Sequence, residues 1–354
     1  MKKYARTQIL LVLILIFILA CNLPGNNPIE VTPLAVQEVT TSATGAESQP
    51  PTATSTPSIA HLMTPSTSPP SGQVVYDVES SGTAAEKRAP YGDSYDINRL
   101  ERPFLQDMTY VSDLDIVTYT VSQDADWYYV SVELIGTDPN NSMGINYGVE
   151  LDTNHDGFGD HVIWVSPPYT PNWDTLNVKI YSDKNHNTGG LSAEKSDAPF
   201  TADGYEALTF NGGVGDADPD MAWVRVNAGR QATVQFAFKK SWSGTVFMLG
   251  VVADSGLQDV TKLDYVDRFT EAEAGSPVKD KKYYPLGSLY EVDNVCREAF
   301  GFKPTGYEPQ LCPREESTPQ PRSTPSVCQQ PPYCTLPGYI WHQDTCYCES
   351  IIIY

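Results

Sequence analysis

Residues 128–134 alternate without a break, with Tyr128, Val130, Val132 and Leu134 set against Tyr129, Ser131 and Glu133. The same two-residue period returns where Leu176, Val178 and Ile180 are set against Thr175, Asn177 and Lys179. It returns again where Ala232, Val234, Phe236 and Phe238 are set against Gln231, Thr233 and Gln235. Successive side chains of an extended chain point to opposite faces, so this period buries one face of a strand and wets the other. Similar strands fit at 115–121, 145–151, 161–166, 205–210, 221–227 and 246–253. Turn chemistry fills the links, as in Asp138-Pro139-Asn140-Asn141, Asn211-Gly212-Gly213 and Asp218-Pro219-Asp220. No long stripe of helical period competes. About nine antiparallel strands, each with one inward face, predict an all-β fold built as a β-sandwich, with a barrel as the alternative.

The flanks of this globular part, residues 74–312, differ in kind. Lys2, Lys3 and Arg6 precede an unbroken apolar run from Ile9 to Leu19. That run is about half the length needed to cross a bilayer as a helix. A basic start and a short apolar core are the parts of a secretory signal peptide, here residues 1–20. Residues 21–73 are rich in Pro, Thr and Ser and bury too little apolar surface to offset their ordering entropy, which predicts an extended, disordered stalk. No Lys or Arg falls between Arg6 and Lys87, so a positive-inside retention signal is missing. A second Pro-rich linker spans 313–327. Residues 328–354 form a Cys-rich module too small to hold together without covalent staples.

The run ends in Ile18-Leu19-Ala20-Cys21, which resembles the lipobox of bacterial lipoproteins. The resemblance implies cleavage before Cys21, lipid on that cysteine, and a mature chain tethered to a membrane on its extracytoplasmic face, at the cell membrane or cell surface. An ordinary signal peptide or an uncleaved anchor are the rival readings. All of them put the rest of the chain outside. Of seven cysteines, six then remain: Cys296, Cys312, Cys328, Cys334, Cys346 and Cys348. An even number in an oxidising compartment reads as disulfides. Spacing does not choose the pairing, but Cys296–Cys312 makes a natural local clip, leaving the last four to pair among themselves. Direct pairing of Cys346 with Cys348 would be strained. Zinc is the rival, although the spacings lack a pair of Cys-x-x-Cys knuckles.

Charge narrows the partners. A formal net charge of −21 excludes phosphate-backbone recognition by clustered Lys and Arg, and hence nucleic acid. Abundant carboxylates suit hard cations instead. The sharpest motif is Asp152-Thr153-Asn154-His155-Asp156-Gly157-Phe158-Gly159-Asp160, with oxygen-bearing side chains at every second position and a glycine where the loop turns. The series resembles the calcium loops of EF-hands, dockerins and thrombospondin type-3 repeats. By that likeness Asp152, Asn154 and Asp156 supply side-chain oxygens to Ca2+, Phe158 its carbonyl, and Asp160 a direct or water-mediated contact. The twelfth position is Ile163 rather than a bidentate Glu, and Glu150, on the same strand face as Asp152, is a candidate replacement. Asp113 and Asp115 are others. A polar turn held by Asx hydrogen bonds is the alternative. Asp183-Lys184-Asn185-His186-Asn187-Thr188-Gly189-Gly190 echoes the motif with fewer charges, and a polar turn is its better reading.

From Asp115 to about Asp267 the strand pattern resembles the sandwich of DOMON-type domains and related carbohydrate-binding modules, which implies a jelly-roll or immunoglobulin-like arrangement. The Met and His pairing of haem-binding members is absent. Nucleophile elbow, P-loop, dinucleotide fingerprint and His-Glu-x-x-His are absent as well, which argues against an enzyme. Two function classes follow. One is a module that binds extracellular glycan by stacking sugars on aromatics, with Trp173, Tyr169 and Trp164 as candidates and core packing as the alternative for each. The other is a structural or adhesion protein of the cell envelope with no small ligand beyond calcium. Exposed, aligned rings favour the first and buried rings the second.

Overall fold

The computed structural model describes residues 59–90, 101–189, 204–263, 275–276, 278, 290–312, 334, 339–342 and 347–350. The expected signal peptide, Cys21, most of the expected stalk, the expected 313–327 linker, Cys328 and Cys346 lie outside them.

Two antiparallel sheets pack face to face as a β-sandwich. The first runs in the order β1 (Gln73–Tyr76), β2 (Ile116–Gln123), β3 (Trp127–Leu134), β9 (Thr233–Lys239) and β8 (Ala222–Asn227). The second runs β11 (Val292–Asn294), β10 (Phe247–Asp254), β4 (Asn146–Asp152), β5 (His161–Val165), β6 (Val178–Ser182) and β7 (Ala207–Asn211). The short β12 (Glu298–Phe300) also pairs β10. A one-turn helix, α1 (Lys240–Ser243), follows β9. Near the C-terminus β13 (Tyr339–His342) and β14 (Tyr347–Ser350) form a separate antiparallel pair. Among the described residues no helix is long and apolar enough to cross a membrane.

The alternation read from sequence sets the interior. Tyr128, Val130, Val132 and Leu134 point inward with Ala232, Val234, Phe236 and Phe238, and meet Tyr147, Val149, Leu151, Ile163, Leu249 and Val251 from the opposite sheet. Tyr119 ties the layers together by donating its hydroxyl to the Leu249 and Cys296 carbonyls, each at 3.1 Å. Leu176 departs from the expected pattern. It lies just ahead of β6 and is 53% exposed.

The second sheet is covered on both faces. Every residue of β4 and β10 is buried. A second apolar layer of Val162, Trp164, Tyr205, Val252, Val260, Leu263 and Val292 lies on the outer side. Gly148 makes this layer possible: it is the cross-strand partner of Trp164, and a Cβ there would lie 2.9 Å from the indole and 2.8 Å from Val252. The missing side chain is the slot the tryptophan fills.

The composition of residues 59–72 assigns them to the stalk, but they run along the outer face of the first sheet before entering β1. Pro65 is buried there, and Asp220 accepts the amides of Leu62 and Met63 at 2.7 and 2.8 Å. Backbone donors aimed at an ionised carboxylate supply the attachment that apolar content does not.

Candidate functional site

The acidic motif lies in the turn between β4 and β5, and its echo directly follows β6 on the same sheet edge. The two loops are built alike. Asp152 accepts the amides of His155 (2.7 Å) and Gly157 (2.9 Å). Asp183 accepts those of His186 (2.7 Å), Asn187 and Thr188 (both 2.8 Å). Each turn needs left-handed backbone three residues on, at His155 (φ 65°) and His186 (φ 59°), and again at Gly157 (φ 96°) and Gly189 (φ 88°). An aspartate that satisfies several loop amides defines an Asx turn, and the shared Asp-x-Asn-His is its sequence signature here.

These twin loops are bonded to each other. The Gly159 amide donates to the Thr188 carbonyl at 2.8 Å, and the Asp183 amide to the Asp160 carbonyl at 3.1 Å. His186 Nε2 lies 2.9 Å from Asp156 Oδ2, and its ring is 4.7 Å from that of Phe158. Asn154 accepts the Asp156 amide, and Asp156 the Phe158 amide, both at 3.0 Å. Asp160 takes the amide and hydroxyl of Thr153 at 2.6 and 2.5 Å. Glu150 is on the same strand face as Asp152, as expected, but its carboxylate accepts the Tyr205 hydroxyl at 3.0 Å. Asp113 sits at the other end of β4, bonded to the Asp138 amide and the Asn141 side chain.

A third loop closes over the pair, and sequence reasoning missed its role. Cys296 and Cys312 form the expected disulfide, Cα to Cα 4.8 Å. Arg297, next to it, is held by backbone bonds to Gln310 and Cys312 and sends its guanidinium to the Gly157 carbonyl (3.0 Å) and Asp152 Oδ2 (3.4 Å). From the same closed loop Phe302 stacks on His155, ring centroids 4.0 Å apart. Burial pushes the Asp152 carboxyl above its ordinary value; Arg297 and the two amides pull the other way without cancelling it. No pattern links Arg297 to Asp152 in sequence, since they are 145 positions apart.

This donor set bears on calcium in two ways. Its hard carboxylate oxygens suit Ca2+ and keep lone pairs beyond those given to amides. A buried guanidinium beside Asp152 already supplies positive charge there, and among the described residues no group of three or more His, Cys, Asp or Glu is arranged to hold a metal ion.

The aromatic candidates do not form a platform. Trp164 and Tyr169 are each 5% exposed. Trp164 fills the Gly148 slot, and the Tyr169 hydroxyl donates to the Ile145 and Val165 carbonyls inside the core. Neither ring is open for a sugar to stack on: size suits both to the interior, and Tyr169 also has its hydroxyl satisfied there. Trp173 stands apart, half-buried on the outer face of the first sheet, with its Nε1 donating to the Ser66 carbonyl at 3.0 Å. Of the remaining cysteines, Cys334 is disulfide-bonded.

Other buried acidic groups lie elsewhere. Asp115 accepts the hydroxyl of Tyr110 and the Ser80 amide; burial, against those bonds, pushes its carboxyl up to about 7. Burial, chiefly, also raises Asp77 well above its usual value.

The chain matches no protein-family model, and neither a curated protein nor a solved structure matches it.

Proposed function

We propose that this chain is a bacterial lipoprotein, anchored through lipid on Cys21 and presenting its β-sandwich outside the cytoplasm as a structural or adhesion module. The Cys296–Cys312 disulfide carries the reading. Such bonds persist in oxidising compartments, which is where a signal peptide ending just before Cys21 would deliver the chain. The burial of Trp164 and Tyr169 favours an adhesion module over a glycan binder, because stacking on sugars needs open rings. Mass spectrometry of the protein from its native cell tests the anchor. The expected product starts at a lipidated Cys21, partitions into detergent, and shows no free thiols. An intact Met1 in a soluble fraction with alkylatable cysteines would overturn the reading.

Calcium is a second reading, favoured by the spacing of Asp152, Asn154, Asp156 and Asp160 around Gly157. A ligand bound only by the folded state must raise its melting temperature. Scanning calorimetry with calcium and with chelator is expected to separate the two curves, and superimposable curves dispose of the metal.

A further inference from the structure

We propose that the outer face of the first sheet is a recognition groove for an extended Thr-Pro-Ser segment of another chain, and that residues 59–70 occupy it as a tethered copy of that ligand. Nothing in this inference depends on Cys21 or on calcium.

The groove is built from aromatic rings on neighbouring strands. Trp127 and Tyr129 from β3, Trp223 from β8 and Ala237 from β9 form one apolar cluster, with Trp173 packed against it. The loop carrying Trp173 is locked to β8 by paired Asp174–Val224 backbone bonds, both 2.9 Å. Arg225 lies 4.5 Å over the Trp173 ring, and its Nε donates to Gln235 at 2.6 Å, so the indole has a fixed backing.

The occupant is held at two points. At one end Asp220, itself wholly buried, receives two backbone amides and the His61 ring at 2.7 Å; His61 also lies 4.4 Å from Trp223. At the other, Ser66 is gripped through its backbone alone. Its amide donates to the Tyr129 hydroxyl at 2.9 Å and its carbonyl accepts Trp173 Nε1 at 3.0 Å. Tyr129 in turn donates to Asp124 at 2.6 Å, which leaves its oxygen aimed to accept. Pro65, beside this grip, is buried. Aromatic walls, an indole donor to a carbonyl and a buried proline are the physics by which grooves take pre-extended proline-containing peptides.

His61 apart, the occupant's flanking side chains contribute little, since Leu62 is 86% and Met63 41% exposed. The grip at Ser66 therefore reads the backbone and one proline, a pattern this chain carries again as Thr56-Pro57-Ser58 and Thr324-Pro325-Ser326. Any extended segment with this tripeptide presents the same groups to Tyr129 and Trp173.

The test uses a fluorescein-labelled peptide with the sequence of residues 59–70 and three full-length proteins. These are the wild type, a chain with residues 59–70 replaced by alternating Gly and Ser, and that chain with Trp173→Ala. A resident occupant lowers apparent affinity by the fraction of time the groove is filled. The replaced chain is expected to bind the peptide roughly tenfold or more tightly than the wild type does. Its melting temperature should rise with added peptide, and Trp173→Ala should abolish both effects. If the replaced chain is unfolded, recovery of cooperative melting on adding the peptide supports the groove equally. Absence of binding and of any melting shift, or equal binding to all three proteins, overturns it.

Discussion

The Arg297 guanidinium lies 3.4 Å from the Asp152 carboxylate, and neither side chain is more than 1% exposed. The pair joins the disulfide-closed loop to the twin Asx loops and leaves no water to compensate if one partner is lost. Arg297→Met is expected to lower unfolding free energy by about 3–5 kcal/mol at neutral pH, because a buried carboxylate then loses its cationic partner. The penalty shrinks as pH falls, because burial raises the Asp152 carboxyl and so favours its taking a proton. Adding Asp152→Asn to Arg297→Met should recover part of the loss. Urea melts of the two single variants and the double check this, and additive losses would rule out the coupling.

Cys296→Ser with Cys312→Ser removes a covalent closure of 16 residues. Chain-entropy arguments put such a loop at about 3 kcal/mol. The same loss should appear when the wild type is melted with a strong reductant. Because Arg297 and Phe302 ride on this loop, hydrogen exchange is expected to quicken at the amides of His155 and Gly157 as well as near the cysteines. Unchanged exchange at those amides would separate the disulfide from the twin loops.

Gly148→Ala forces a methyl toward Trp164 and Val252, at 2.9 and 2.8 Å. An overpacked core of this kind costs about 1–3 kcal/mol. Gly82→Ala, where a Cβ meets nothing within 4 Å, is the control and should stay within about 0.5 kcal/mol of wild type. Thermal melts that rank the two variants the other way would count against the slot.

Asp115 gives a pH dependence with a definite sign. In the unfolded chain its carboxyl ionises near pH 4, whereas in the fold it keeps its proton to about 7. The folded state binds more protons through that window, so this group's contribution is whole below about pH 4 and is lost as pH rises toward 7. Asp254, raised to about 6 by burial, acts in the same direction. Asp115→Asn should therefore flatten the fall in urea midpoint between pH 5 and 7.5. Parallel curves for the variant and the wild type would refute the assignment.

Much of the sandwich was legible because its central strands are long enough to show their period. The inward set of Ala232, Val234, Phe236 and Phe238 follows directly from alternation. β1, β11 and β12 span four residues or fewer, too short for any period to declare itself. The twin loops were visible through Asp-x-Asn-His, since Asx turns are local. Arg297 was not, because its partner comes from a remote stretch of chain. The burial of Trp164 was hidden for the same reason: its slot is a glycine on the neighbouring strand. Residues 59–72 misled because composition reports apolar content and is silent about backbone amides seeking a carboxylate.

The hold of Asp220 on residues 61–63 also sets an order of events. A ribosome releases His61 long before Asp220, 159 positions later, exists to receive it. The oldest described part of the polypeptide must then wait, unsecured, until β8 and β9 have been made and paired. Contacts between such distant positions form slowly. A chain stalled before residue 220 would expose Thr-Pro-Ser to any passing receptor or protease, and completion of the sheet is what withdraws it.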